Sequence, residues 1–467
     1  MRLPRIPKLS AKVSLVHLGF DKKLGLLSSG AFCWFLLWIG INTGPANLDF
    51  EIIQGSVAGL FNGVRAGFPL LVIAAWLLYL ILRKQHTIRR FTLPEALWLH
   101  YGVVSLIASS YADPWFQFAY WGFAYLSAFA ATEIYMARSP TPERAGALNR
   151  LNWLLGSAVL VVVIWVSHGQ LLGQTSNGLS GYGVLERLPT VGGMAMVRAS
   201  GISRLAAIPA IVAFVSVLNT RGVSRVAWLG ALAPTAYLVW IMQSRGSLAS
   251  FAFALGFVML FIDVKHRYIG ILLATIAGAV YAAGFVPDST IDHLWLFATR
   301  GAHGQTLASM SGRTRIFGGA WQLIKEAPFV GYGPQADRRI LTIVGNAQNA
   351  VLYSLLCSGF LGGAGYVGGL VTSWVLLIRA LHRRDLMTRT ERATLLQVAG
   401  VLAFLTMRSY PENCAALYSV DLLLQLPAMV YLGELDRAFR RRASMSVYRT
   451  AARGDSAISA FSMAHAH

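Results

Sequence analysis

Ala350–Ile378 reads AVLYSLLCSGFLGGAGYVGGLVTSWVLLI, a run of 29 residues without one charged side chain. At roughly 1.5 Å per residue an α-helix of this length extends about 44 Å. A bilayer core of about 30 Å needs only some 20 apolar residues to cross it. Runs of similar character recur on both sides, near 24–44, 66–82, 95–111, 115–136, 152–167, 204–219, 226–243, 247–262, 268–286, 393–408 and 414–433. With the quoted run they make twelve candidate spans. The whole chain of 467 residues is 55% hydrophobic and 13% charged, whereas soluble domains carry about 25% charged residues. The expected fold is all-α: a polytopic membrane bundle of about twelve transmembrane helices with one long, partly helical outer loop.

The formal charge of +20 arises from 40 Lys+Arg against 20 Asp+Glu. Twenty-eight of the basic residues fall in the N-terminal segment, alternate loops and the C-terminal tail. By the positive-inside rule both termini are then cytoplasmic, and the counter-surface of the charge is anionic lipid. Nucleic acid is not an expected partner. Cys33, Cys357 and Cys414 lie in or beside apolar segments with no CxxC or Cys/His spacing, which argues against a disulfide framework or a zinc site. The chain divides into a basic N-terminus (1–23), nine spans (24–286), a long outer loop (287–349), three spans (350–433) and a basic tail (434–467), expected to be disordered after Arg453.

Twelve basic residues remain for the outer side: Arg65, Arg187, Arg198, Arg204, Arg245, Arg300, Arg313, Arg315, Lys325, Arg338, Arg339 and Arg408. Eleven are arginine, whose planar fork matches the oxygens of a phosphate. The other reading of each is interfacial snorkelling or pairing with an outer acid. In the long loop, Arg313–Ala327 reads as a helix. Ile316, Ala320, Leu323 and Ala327 share a face, with Phe317, Trp321 and Ile324 beside them, and Pro328 follows. Such a helix suits either the outer leaflet or the top of the bundle. Asp421 in the last span should face the interior and make a structural hydrogen bond. Gly362, Gly363 and Gly365 fit close helix packing.

Ser311-Gly312-Arg313, Trp321, Pro328-Phe329-Val330-Gly331-Tyr332-Gly333, then Gln348-Asn349 with Gly359 and Gly362 following, occur in an order and spacing that resembles the O-antigen ligase and Wzy-type polysaccharide polymerase superfamily. Ser244-Arg245-Gly246 is similar to that family's earlier SRG element, and Arg408-Ser409-Tyr410 with Glu412 to its late R-S-x-x-E. The resemblance covers roughly residues 195–435. It implies a metal-independent, cofactor-free, inverting glycosyltransferase at the periplasmic face of the bacterial inner membrane. Its donor is an undecaprenyl-pyrophosphate-linked glycan. Its acceptor is a lipid A core sugar in ligases of lipopolysaccharide assembly, or a lipid-linked repeat in O-antigen and exopolysaccharide polymerases. A chain-length regulator or a flippase is an open question as a further partner.

The chemistry makes matching demands. Charge develops on a pyrophosphate leaving group, so preorganised donors should supply the main catalytic effect. Arg313, Arg245 and Arg408 are the candidates, with Arg198, Arg204 and Arg315 as further substrate-binding residues beside Asn349, Tyr332 and Trp321. The family's histidine before the asparagine is replaced by Gln348, whose amide cannot take a proton at neutral pH. Gln348 then orients the acceptor while Glu412 or His303 acts as base, or the reaction needs little base, or the chain is an inactive glycan-binding paralogue. A transporter or flippase is the rival from another class, since twelve spans with both ends inside also suit it.

Overall fold

A computed structural model of the chain describes residues 24–41, 43–49, 57–82, 89–137, 139–175, 199–242, 244–262, 313–341 and 347–464. The expected ninth span (268–286), the N-terminal 23 residues, Arg198, Arg300 and His303 lie outside them. So do the side chains of Arg313 and Arg315.

Every described element is helical, and no strand occurs among the described residues. The longer helices are α1 (Leu24–Ile39), α2 (Val57–Leu82), α3 (Leu93–Ala108), α4 (Trp115–Met136), α5 (Pro142–Thr175), α6 (Ala199–Asn219), α7 (Val223–Ile241) and α8 (Arg245–Phe261). They continue as α9 (Arg313–Glu326), the short α10 (Ala336–Ile340), α11 (Ala350–His382), α12 (Arg389–Arg408) and α13 (Val420–Ala464). Four of these contain stretches long and apolar enough to cross a membrane: Gly59–Leu82, Pro142–Trp165, Ser200–Asn219 and Ala350–His382. Gly30–Ile39 and Arg245–Phe261 are shorter apolar helices.

The core forms around α13, which is buried on all sides from Val420 to Leu435. A helix that is apolar all round has to sit inside, and Leu422, Leu423, Leu426, Met429, Val430 and Leu432 line it. At the periphery α7 buries only Val239. Close packing of α3 on α11 depends on small residues. A Cβ at Gly369 would stand 2.2 Å from the Trp98 ring and one at Gly365 2.7 Å from the Leu97 carbonyl. Trp98 instead stacks on Tyr366 at 5.2 Å and donates to its carbonyl.

One expectation needs correction. The last helix does not begin near 414. Residues 409–419 are irregular and the helix starts at Val420. Pro411 has no N–H to offer a helix, and Ala415 sits at φ +55°. The tail after Arg453 continues as helix to Ala464.

The sequence run that predicts the longest span is itself interrupted. Gly359 adopts φ +57°, ψ −163°, a region open almost only to glycine. The turn Pro328–Gly333 enters this break. Tyr332 N–H donates to the Leu356 carbonyl and Gly333 N–H to that of Cys357. In return Phe360 N–H donates to the Pro328 carbonyl and Leu361 N–H to that of Phe329. In a straight helix these same groups would pair with each other, 360 to 356 and 361 to 357. Two helical bonds are thus exchanged for four with the turn. Gly331, at φ +72°, permits the contact: a Cβ there would lie 2.6 Å from Gly359 N.

Candidate functional site

The irregular segment 409–419 organises the site. Its buried carbonyls are satisfied by phenols, Tyr366 to Cys414 and Tyr101 to Ala416, as non-helical backbone inside a bundle requires. Several helices meet it.

Arg408 is the last residue of α12 and Asp421 lies in the first turn of α13. Each charge therefore complements its helix dipole. Arg408 Nη1 lies 3.2 Å from Asp421 Oδ2, 3.5 Å from Cys414 Sγ, and Nη2 lies 3.9 Å from Glu412. From α6, Arg204 Nη1 donates to the same Asp421 oxygen at 2.8 Å. Two guanidiniums therefore share one carboxylate whose side chain is 4% exposed. Glu412 is 33% exposed, the open carboxylate of the cluster. The Arg204 Nε and the neighbouring Ser203 hydroxyl, both buried, have no hydrogen-bond partner among the described residues.

Asn349 ties α11 to this segment. As N-cap its side chain accepts from the Val351 and Leu352 N–H groups, and its amide donates to the Tyr410 carbonyl at 3.1 Å. Ala350 N–H reaches the Ser409 carbonyl, next to Arg408. Gln348, half-buried, takes a left-handed φ of +48°, uncommon for a residue with a side chain. Asp337 braces this entrance, accepting from Ala347 N–H and from Asn413, whose Oδ1 in turn receives Asn349 N–H. Arg245 opens α8 behind Ser244. A Cβ at the following Gly246 would come within 3.3 Å of Pro411, so the start of α8 abuts the same segment.

The sequence-predicted elements around 244–246, 348–349 and 408–412 are therefore gathered at one place, together with Arg204. Others are not. Tyr332 donates its hydroxyl to the Leu323 carbonyl. Burial, with the Glu326 carboxylate beside it, pushes that phenol above its ordinary value. Trp321, 41% exposed, meets Phe360 edge-on. α9 packs Ile316, Ala320 and Ile324 inward, and Phe317 against Tyr410, so this helix rests on the bundle. Of the other arginines expected on the outer side, Arg65 donates to the Ile39 and Ile41 carbonyls and Asn62. Arg339 donates to the Tyr332 carbonyl and stacks on Phe118.

Sequence reasoning placed Asp421 inside but missed its part as common counter-ion to Arg204 and Arg408; an acid in an apolar span facing two outer arginines was the available signal. Asp337 and Asn413 carried no pattern that singled them out. Below 416–418, an aromatic cavity lined by Tyr101, Trp121, Tyr125, Tyr353 and Tyr418 contains none of the cations. Among the described residues no group of three or more His, Cys, Asp or Glu could hold a metal ion. No protein-family model matches the chain, and no curated protein sequence matches it.

Proposed function

We propose that the chain is a glycan transferase of the bacterial inner membrane, acting at the periplasmic end of a twelve-span bundle with both termini in the cytoplasm. It moves a glycan from an undecaprenyl-pyrophosphate carrier to a lipid A core sugar or to a lipid-linked repeat. The observation that supports this most is the pair Arg204–Arg408 on a single buried carboxylate. Asp421 fixes both guanidiniums while Glu412 stands only 3.9 Å from Arg408 as a looser second partner, and the buried Arg204 Nε has no acceptor among the described residues. Donors held in place before charge develops are what a pyrophosphate leaving group needs.

In this reading the acceptor hydroxyl oxygen bonds to the anomeric carbon as the bond to the phosphate oxygen breaks. The electron pair leaves with the pyrophosphate, toward Arg204, Arg408 and Arg245. The hydroxyl proton goes to Glu412, the carboxylate an acceptor can reach, because Asp421 is enclosed by its two cations. Gln348 and Asn349 line the approach and orient the acceptor. The break in α11 gives no support to a transporter, where such a break would line the substrate path, since the chain's own turn fills it.

The test is glycan accumulation in a host lacking the chain, complemented with R204K, R408K or E412Q. Expected results are lipid-linked glycan retained on the periplasmic face and loss of finished polymer or ligated lipid. A transporter defect would instead trap the precursor on the cytoplasmic face. Normal product from both arginine variants would end the proposal.

A further inference from the structure

Further along α13, where its fully buried stretch ends, lies a second buried charge cluster that the transfer reading does not use. Arg89, just before α3, donates to Glu95 of α3, to Glu133 of α4 at 3.3 Å and to Glu434 of α13 at 3.0 Å. The three glutamates are at most 1% exposed. Arg437, one turn beyond Glu434, donates to it at 2.8 Å and also to the Phe91 carbonyl. The nearby Arg144 of α5 is turned onto the Tyr135 carbonyl and ring instead, and Arg383, just past α11, lies over Phe439. Among the described residues the cluster thus sets three carboxyls against two guanidiniums.

With all three ionised, one negative charge would stay uncompensated inside the protein, which buried sites avoid by keeping a proton. Geometry says where. Glu95 takes the Thr92 N–H and hydroxyl together with Arg89, and Glu133 takes both the backbone N–H and the side chain of Arg89. At Glu434 both guanidiniums reach the same oxygen, Oε1. A proton on Oε2 breaks neither bond. We propose that Glu434 is a proton-binding site, which keeps its proton above the pH at which a solvated glutamate loses it and so holds the start of α3, the end of α4 and this stretch of α13 together. Burial pushes this carboxyl above its ordinary value, with Arg437 and Arg89 opposing. Glu434 stands 13 residues from Asp421 on one continuous helix, about 20 Å away.

The sign follows from linkage. A carboxyl whose value is raised by folding binds more proton folded than unfolded, so stability falls as pH rises from the ordinary glutamate range through the raised value. Purified protein in detergent micelles should lose thermal stability across that window. E434Q, which keeps the Oε1 acceptor and needs no proton, should lose that step. R437A removes a cation and should move the step to higher pH. Infrared difference spectra on raising the pH should show a protonated-carboxyl band disappearing, absent from E434Q. An unchanged step in E434Q, a step moved down in R437A, or no such band in the wild type overturns the proposal. If E434Q does not fold, the wild-type band and the R437A shift decide it.

Discussion

Replacing Gly359 by alanine tests whether the turn-filled break in α11 holds this part of the molecule together. The added Cβ would stand 2.2 Å from the Phe329 carbonyl carbon and 2.3 Å from its oxygen. The backbone would also be held at φ +57°, ψ −163°, which costs a non-glycine residue about 1–3 kcal/mol. The relieved alternative is a straight helix that expels the turn. Four backbone hydrogen bonds of about 1 kcal/mol net each are then lost and two helical ones regained. The loss is about 2 kcal/mol from hydrogen bonds, or about 3–4 kcal/mol once the packing of Tyr332 goes with them, Phe329 being exposed. Denaturant titration in mixed micelles measures this, and limited proteolysis reads exposure of 328–333. G318A supplies the control. Gly318 is helical with nothing within 4 Å of an added Cβ, so that variant should gain up to about 1 kcal/mol. If G359A matches the wild type in both assays, the stitching account is wrong.

D421N should leave Arg204 and Arg408 buried without their anion and destabilise the protein by about 3–5 kcal/mol, seen as a lower unfolding midpoint in micelles. N349A removes a cap that serves two N–H groups and should cost about 1–2 kcal/mol; N349D, which keeps the cap but not the donor to Tyr410, should recover most of it. On the acid side, Glu391 is partly buried, but bonds from the Thr388 N–H and Arg442 hold its carboxyl below the ordinary value. Its contribution is present above the ordinary glutamate range and fades as pH falls through the lowered value. E391Q should flatten that acid step in a thermal-midpoint titration, and an identical slope would contradict it.

Much of the helix pattern was readable because apolar runs and spans coincide. Trp115–Met136 matches its helix end to end, where charged and Pro-containing flanks delimit it. Long buried α13 was legible as apolar but not in its start, because Pro411 and Ala415 act through backbone geometry that hydropathy ignores. The motif residues were legible as a set, yet the set proved mixed. Gly331 and Gly359 serve backbone fit, and Asn349 serves a cap, while Arg204, Arg408 and Glu412 carry charge to one place. Spacing alone cannot separate these uses, since a glycine needed for a close approach and a glycine beside a ligand look alike in a string. The cluster at Arg89 was hidden for a different reason. Its glutamates are far apart in sequence, at 95, 133 and 434, and topology alone makes them neighbours.

The stitched break also bears on how the chain enters a bilayer. Hydrocarbon tolerates no open peptide group, so α11 cannot cross it already broken, with the carbonyls of 356 and 357 and the N–H groups of 360 and 361 bare. Where this stretch lies in lipid, those groups stay paired only while the turn is docked, so turn and broken helix form one unit, and a chain cut between 333 and 350 should complete that unit more slowly.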